Sequence, residues 1–167
     1  STERTFLNLC FNPKKAAQIS LQPLERFDID FIILFSDILV VPYALGQFVD
    51  FKENIGPVLD PINNKFELDY TDLTKNLKAL DPVFKTIKII KKTKTEKNLI
   101  GFCGGPFTVL TYMIEGGSSQ NHKKVKSKII KEKKHLLEII EILIEFSSMY
   151  LIEQIRCGAN IVKIFES

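Results

Sequence analysis

Residues 27–46 read FDIDFIILFSDILVVPYALG and contain five consecutive apolar residues, 31–35, followed closely by Asp37. An apolar run of this length is typical of a strand buried on both faces of a parallel sheet, so we predict a strand over residues 30–35. Asp37 then lies at a carboxyl end of the sheet, where α/β proteins place their chemistry. From the residues alone, this carboxylate either caps the backbone amides of residues 38–40 or meets a ligand.

The remaining sequence predicts alternating helices and strands. Asn12 and Pro13 predict the start of a first helix that Pro23 kinks, and the breakers Gly56, Pro57 and Pro61 predict a long irregular stretch over residues 47–70. The later predictions are a helix from Asp81, a strand over 99–103, helices over 106–115, 122–131 and 135–157, and a strand over 160–165. This order is typical of parallel β/α units. Three such strands leave an open edge, so the fold class we predict is a partial (β/α)8 TIM barrel, about the first three β/α units, with residues 1–167 as one incomplete domain.

Composition excludes several classes of protein. Acidic residues and Pro42 interrupt every long apolar run, so we expect no membrane segment. The first ten residues, STERTFLNLC, lack the pattern of a secretory signal, which predicts a cytoplasmic protein.

Lysines crowd residues 85–97 and 123–134, but they alternate with isoleucine or valine at helical spacing and no aromatic residues interleave with them. We interpret these segments as solvated helix faces rather than as a nucleic-acid site.

The metal-ligating residue types are scattered along the chain. Cys10, Cys103 and Cys157 form no CxxC pair, and we expect buried, neutral thiols. His122 and His135 flank a lysine-rich segment, and we expect both at the surface. The sequence therefore predicts no metal site.

Four separated segments together resemble the uroporphyrinogen decarboxylase family. They are residues 12–30 (NPKKAAQISLQPLERFDID), 35–46 (FSDILVVPYALG), 101–117 (GFCGGPFTVLTYMIEGG) and 163–167 (KIFES). The resemblance implies a (β/α)8 barrel, a homodimer when complete, and cofactor-independent decarboxylation of the four acetate side chains of uroporphyrinogen III to coproporphyrinogen III. It covers only part of the family's chain, because an arginine-bearing segment upstream and the later barrel units with a substrate-binding histidine downstream have no counterpart here.

The resemblance also implies roles for particular residues. Asp37 is expected to be catalytic and substrate-binding, as an ionised carboxylate that accepts hydrogen bonds from the pyrrole N–H groups. Tyr112 and Ser167 are expected to bind substrate carboxylates, and Phe35 and Phe102 are candidate apolar walls for the macrocycle. From the residues alone, packing accounts for Tyr112 and for the two phenylalanines equally well. Two alternatives stay open: a non-catalytic remnant or fragment of the enzyme, and a zinc- and corrinoid-dependent methyltransferase of the same superfamily.

Overall fold

The structure, a computed structural model, describes residues 6–93 and 95–166. Within these residues the chain forms, in order, α1 (Phe6–Cys10), α2 (Pro13–Leu21), β1 (Phe31–Ile33), α3 (Val40–Ala44), β2 (Val49–Lys52), β3 (Gly56–Leu59), α4 (Leu73–Lys78), α5 (Asp81–Lys91), β4 (Asn98–Gly104), α6 (Pro106–Glu115), α7 (Lys123–Lys131), α8 (Lys133–Cys157) and β5 (Ile161–Phe165). No helix in the described ranges is both long and apolar enough to cross a membrane.

The three predicted strands form one parallel sheet in the order β1-β4-β5. Strand β1 is shorter than the predicted 30–35. Leu34 still donates its backbone N–H to Ile100, but the N–H of Phe35 turns away to the hydroxyl of Ser20 at 2.8 Å. The apolar run therefore leaves the sheet before it reaches Asp37.

The predicted start of α2 is confirmed by its cap. The side chain of Asn12 accepts a hydrogen bond from the N–H of Lys15 at 3.1 Å, and Pro13 occupies the first turn of α2. Helix α2 ends at Leu21 and continues as a 3₁₀ turn, Gln22–Glu25, which contains the proline predicted to kink it. Helix α6 has the predicted bounds, and α8 begins two residues before the predicted 135.

The prediction of an irregular stretch over residues 47–70 is wrong in part. Strands β2 and β3 form an antiparallel hairpin there, with Phe51 opposite Pro57, and Asn54 takes a left-handed φ of 63° in the turn. Proline is tolerated in a strand whose outer N–H needs no partner, and β3 is such a strand in this two-stranded ribbon. Reading Gly56 and Pro57 as breakers therefore concealed a hairpin, and the short helix α4 was also missed.

The parallel sheet has one covered and one open face. Ile32 and Leu34 are buried on the helix side with Leu99, whereas Phe31 and Ile33 point to the other side and are 42% and 59% exposed. The open face forms an apolar hollow of about 550 Å³. Parallel sheets are ordinarily covered on both faces, so this hollow lies on the face of the sheet that the described residues leave uncovered.

A side chain takes over hydrogen bonding where β1 ends. The last pair of β1 with β4 is Ile33 with Ile100, and two residues later the Gln154 side chain of α8 accepts from the N–H of Phe102 and donates to its carbonyl, both at 2.9 Å. Gly101 makes this possible, because a Cβ there would collide with the carboxamide of Gln154. The amide thus satisfies two backbone groups that would otherwise be buried without partners.

Candidate active site at the carboxyl ends of the parallel strands

Asp37 lies in the tight turn between β1 and α3. Its Oδ1 accepts a hydrogen bond from the N–H of Leu39 at 2.7 Å, so the local capping that the sequence left open does occur. Burial raises the pKa of the carboxyl above its ordinary range, and the Leu39 N–H opposes this effect. Among the described residues, no lysine or arginine forms a salt bridge with Asp37.

Close packing brings the Asp37 turn to the end of the neighbouring strand. A Cβ on Gly104 would lie 2.9 Å from the Cβ of Ile38, so only glycine allows the two backbones to approach this closely. Asp37 and the end of β4 therefore share one edge of the sheet, as the sequence predicted.

Glu166 is a feature of this edge that the sequence analysis missed. Directly after β5, its carboxylate accepts hydrogen bonds from the N–H of Thr108 at 2.7 Å, from its hydroxyl at 2.6 Å and from the N–H of Phe107 at 3.4 Å. A negative charge at a helix N-terminus is stabilising, and α6 begins at Gly105-Pro106 without a capping side chain of its own. The sequence did contain a signal for this contact: α6 has no capping side chain of its own, and an acidic residue directly follows β5.

Tyr112 lies in the last turns of α6, half-buried, in the wall of a cavity of about 510 Å³ between α6 and α7. Thr111, Ser119, His122 and Lys126 also line this cavity, and Asp37 does not. The described residues therefore do not bring Asp37 and Tyr112 together around one cavity. Ser167 lies outside the described residues.

The apolar hollow on the open sheet face adjoins this edge. It is lined by both phenylalanines that were candidate walls, Phe35 and Phe102, and by Phe165, whose ring meets that of Phe102 edge-on with centroids 5.3 Å apart. Such a surface can hold the face of a flat or folded ring system.

The family model for uroporphyrinogen decarboxylase matches residues 1–167. This chain belongs to the uroporphyrinogen decarboxylase family. It is 42% identical over 167 residues to the uroporphyrinogen decarboxylase of Rickettsia canadensis, covering 99% of this chain and 49% of that protein. It is 44% identical to those of Rhodospirillum rubrum and Neorickettsia sennetsu, covering 97% and 100% of this chain and 47% and 51% of those proteins. The chain thus spans about half the length of these curated relatives.

A solved structure supports the fold of this family member. A methyltransferase from Methanosarcina mazei superposes with a TM-score of 0.73 at 21% sequence identity, covering 95% of this chain and 47% of that one. At this identity the likeness bears on the fold alone. The parallel sheet, the helices and this neighbour together show a TIM-barrel-like α/β fold.

The family member's thiols are buried, as predicted. Burial raises the pKa of Cys10 to about 12 and that of Cys103 to about 11, so both are neutral at pH 7. Within residues 6–93 and 95–166, His, Cys, Asp and Glu side chains form no group of three or more that could hold a metal ion.

The two histidines differ from each other. His135 is exposed, as predicted, and its Nδ1 lies 3.5 Å from a carboxylate oxygen of Glu138. His122 is only partly exposed, and its Nδ1 is buried with no hydrogen-bond partner in the described part of the chain. The surface prediction therefore holds only in part for His122, which is partly exposed and lines the cavity.

Proposed function

We propose that this chain forms part of an enzyme that removes carbon dioxide from the four acetate side chains of uroporphyrinogen III to give coproporphyrinogen III, without a metal or an organic cofactor. The observation that carries the proposal is the family match over residues 1–167 with Asp37 at a strand end of the shared edge. Because the chain spans about half of its relatives, the activity is proposed for the complete gene product that contains it.

The chemistry explains why a carboxylate is needed at this edge. Loss of carbon dioxide from an acetate arm requires an electron sink, and a pyrrole protonated at a ring carbon provides one as a cation. A carboxylate that accepts hydrogen bonds from the pyrrole N–H groups stabilises that cation. Opposite charges 4 Å apart attract by about 4 kcal/mol at an effective dielectric of 20, which corresponds to roughly a thousandfold in rate if the attraction is gained in the transition state.

The environment of Asp37 fits this role. Oδ1 is held by Leu39, and no described residue donates a hydrogen bond to Oδ2, which leaves that oxygen available to a ligand. Burial without a cationic partner among the described residues raises the pKa, and a developing substrate cation would lower it. The attraction is therefore larger in the transition state than in the ground state, which is the condition for catalysis.

Residues outside the Asp37 turn complete the proposal. Tyr112 binds a substrate carboxylate through its hydroxyl, and Ser167 binds another. The hollow lined by Phe35, Phe102 and Phe165 receives the apolar face of the macrocycle. Glu166 is not assigned to the substrate, because its carboxylate already caps α6.

We further propose that the chain supplies about the first three β/α units of a (β/α)8 barrel, in a cytoplasmic protein that is a homodimer when complete. Two observations support the barrel: the open face of the sheet, and the edge strand β5, where Ile161, Ile164 and Phe165 are 42%, 55% and 42% exposed. Further strands would cover these side chains.

The test is an anaerobic assay of the complete gene product with uroporphyrinogen III, in which the tetrapyrrole products are separated by their number of carboxylates. We expect stepwise conversion from eight carboxylates to four. A folded, complete protein that leaves the octacarboxylate unchanged would contradict the proposal and favour a non-catalytic member of the family.

A further inference from the structure

The cavity between α6 and α7, about 510 Å³ in volume, combines apolar walls with hydrogen-bond donors. Phe107, Val125 and Ile129 supply apolar surface, and Tyr112, His122 and Lys126 supply polar groups. Thr108 also lines the cavity and is bonded to Glu166, the residue directly after β5. The cavity therefore adjoins the edge of the sheet at which the parallel strands end.

His122 brings a buried nitrogen without a partner to this cavity. Its Nδ1 is inaccessible to solvent, and no described residue forms a hydrogen bond with it. The backbone of His122 is held in place, because its N–H donates to Oγ of Ser119 at 3.1 Å. A buried polar atom without a partner costs free energy, and a ligand in the cavity that bonds to this nitrogen would recover that cost.

Lys126 adds a positive charge to the same wall. It follows His122 by four residues on α7, so the two side chains lie on one face of the helix. In the described part of the chain, Lys126 forms no salt bridge, and no carboxylate lines the cavity. Glu115, the acidic residue at the end of α6, accepts the N–H of Val125 at 3.0 Å and is not part of the wall. The cavity is therefore suited to an anion.

These groups together select a carboxylate carried on an apolar body. An ammonium group, an imidazole N–H and a phenol O–H all donate to carboxylate oxygens, and the aromatic and aliphatic walls favour hydrocarbon. A carboxylate bound in this way is stabilised in the ground state, which opposes the loss of carbon dioxide from it. Asp37 does not line the cavity either. The carboxylate that fits here is therefore one that does not react while it is bound.

We propose that this cavity binds a non-reacting carboxylate side chain of the tetrapyrrole, with Nδ1 of His122 and the ammonium group of Lys126 as donors beside the Tyr112 hydroxyl. The identity of the ligand rests on the proposed function, and His122 and Lys126 are added to it as substrate-binding residues. Because the contact is equally strong in the ground state and the transition state, its loss raises KM and leaves kcat unchanged.

The first experiment compares two substitutions of His122 in the complete gene product. Glycine and asparagine both adopt the left-handed φ of 48° that this position requires. Glycine removes the side chain, whereas asparagine keeps an amide nitrogen close to the place of Nδ1. We expect KM for uroporphyrinogen III to rise about tenfold in His122→Gly and to stay within about threefold in His122→Asn, with kcat within about twofold in both. Binding of oxidised uroporphyrin III, followed by its fluorescence, should weaken in the same order without any turnover.

The second experiment compares Lys126→Met with the matched control Lys131→Met. Both remove one positive charge from an exposed position of α7, but Lys131 does not line the cavity. We expect Lys126→Met to raise KM and weaken uroporphyrin binding about threefold at low salt, and to differ less from wild type in 0.5 M NaCl because an exposed ammonium is screened. Lys131→Met should stay within about 1.5-fold of wild type.

Three results would overturn the proposal. They are wild-type KM and uroporphyrin affinity in folded His122→Gly and Lys126→Met, as expected if the rest of the gene product fills the cavity, an equal effect of Lys126→Met and Lys131→Met, and a fall in kcat at constant KM. Should His122→Gly fail to fold, the lysine pair decides. Failure of the proposed function is seen separately, as a wild-type protein without turnover, and uroporphyrin binding by the same variants then decides whether the cavity holds a carboxylate.

Discussion

Asp37→Asn in the complete gene product separates the proposed catalytic role of this residue from its structural role. Asparagine keeps the shape of the side chain and an oxygen that accepts from Leu39 N–H, so the 2.7 Å bond that holds the turn can persist. What disappears is the negative charge. With an attraction of about 4 kcal/mol in the transition state, worth roughly a thousandfold, we expect kcat to fall at least about a hundredfold.

The same substitution should not weaken the fold at neutral pH. Burial raises the pKa of Asp37 above its ordinary value, so at intermediate pH the folded state retains a proton that the unfolded chain has released. The contribution of this carboxyl to stability is nil below the pKa of the unfolded chain, becomes destabilising as pH rises toward the pKa of the folded state, and is constant above it. Asp37→Asn removes this penalty, so it should match or exceed wild type in unfolding free energy at pH 7, with the difference shrinking toward pH 4.

The assay pairs turnover with urea unfolding at pH 4.5 and 7, and Asp37→Ala serves as the control. Alanine also removes the acceptor of the Leu39 N–H, so it should lose activity and, in addition, about 1 to 3 kcal/mol of stability relative to Asn. Near-normal turnover of a folded Asp37→Asn variant would refute the catalytic argument. A strong loss of stability at pH 7 in that variant would refute the electrostatic one.

Three further predictions concern cofactors, the isolated chain and the sheet. Activity of the complete gene product should survive chelators and exhaustive dialysis; stoichiometric zinc lost together with activity would instead favour metal-dependent chemistry. Residues 1–167 expressed alone should be inactive and should lack a sharp thermal transition, since each exposed large apolar side chain forfeits roughly 1.5 to 3 kcal/mol of burial, against a net stability of about 5 to 15 kcal/mol; a monomeric, sharply melting and active product would contradict this. Gln154→Leu in the complete protein should lower the unfolding free energy by about 2 to 5 kcal/mol, because it leaves the N–H and carbonyl of Phe102 buried without partners. The control Ser148→Ala, on the exposed side of α8, should change the unfolding free energy by less than about 0.5 kcal/mol. Equal effects of the two substitutions would refute the argument.

The sequence predicted those features that depend on local patterns. Three elements were predicted from residues next to them in the chain, and all three are present: β1 from the apolar run 31–35, α2 from the Asn12 cap, and α6 from its Gly-Pro start. The shared edge followed from the parallel order, because carboxyl ends of parallel strands meet at one side of a sheet.

What the sequence did not predict depends on long-range partners. Glu166 caps a helix that begins 60 residues earlier in the chain, and Gln154 bonds to Phe102 at a separation of 52 residues. Hairpin β2–β3 was missed for a different reason, since Gly56 and Pro57 disfavour strands in general and are accepted only at the edge of a ribbon. Single-chain patterns carry no information about which distant residue will meet a given backbone group.

The Gln154 side chain bonds the backbone of Phe102 in place of a neighbouring strand. This separates the turn after β1 from strand β4, two parts that most parallel sheets link by backbone hydrogen bonds. Beyond the end of β1, the central strand β4 bonds to the side-chain carboxamide of Gln154 on α8 instead of to the backbone of β1. The turn that carries Asp37 consequently has no share in the ladder that holds β4 in place. A change in the backbone of that turn therefore breaks no hydrogen bond of the sheet, and the contact of Ile38 with Gly104 is what ties the turn to the end of β4.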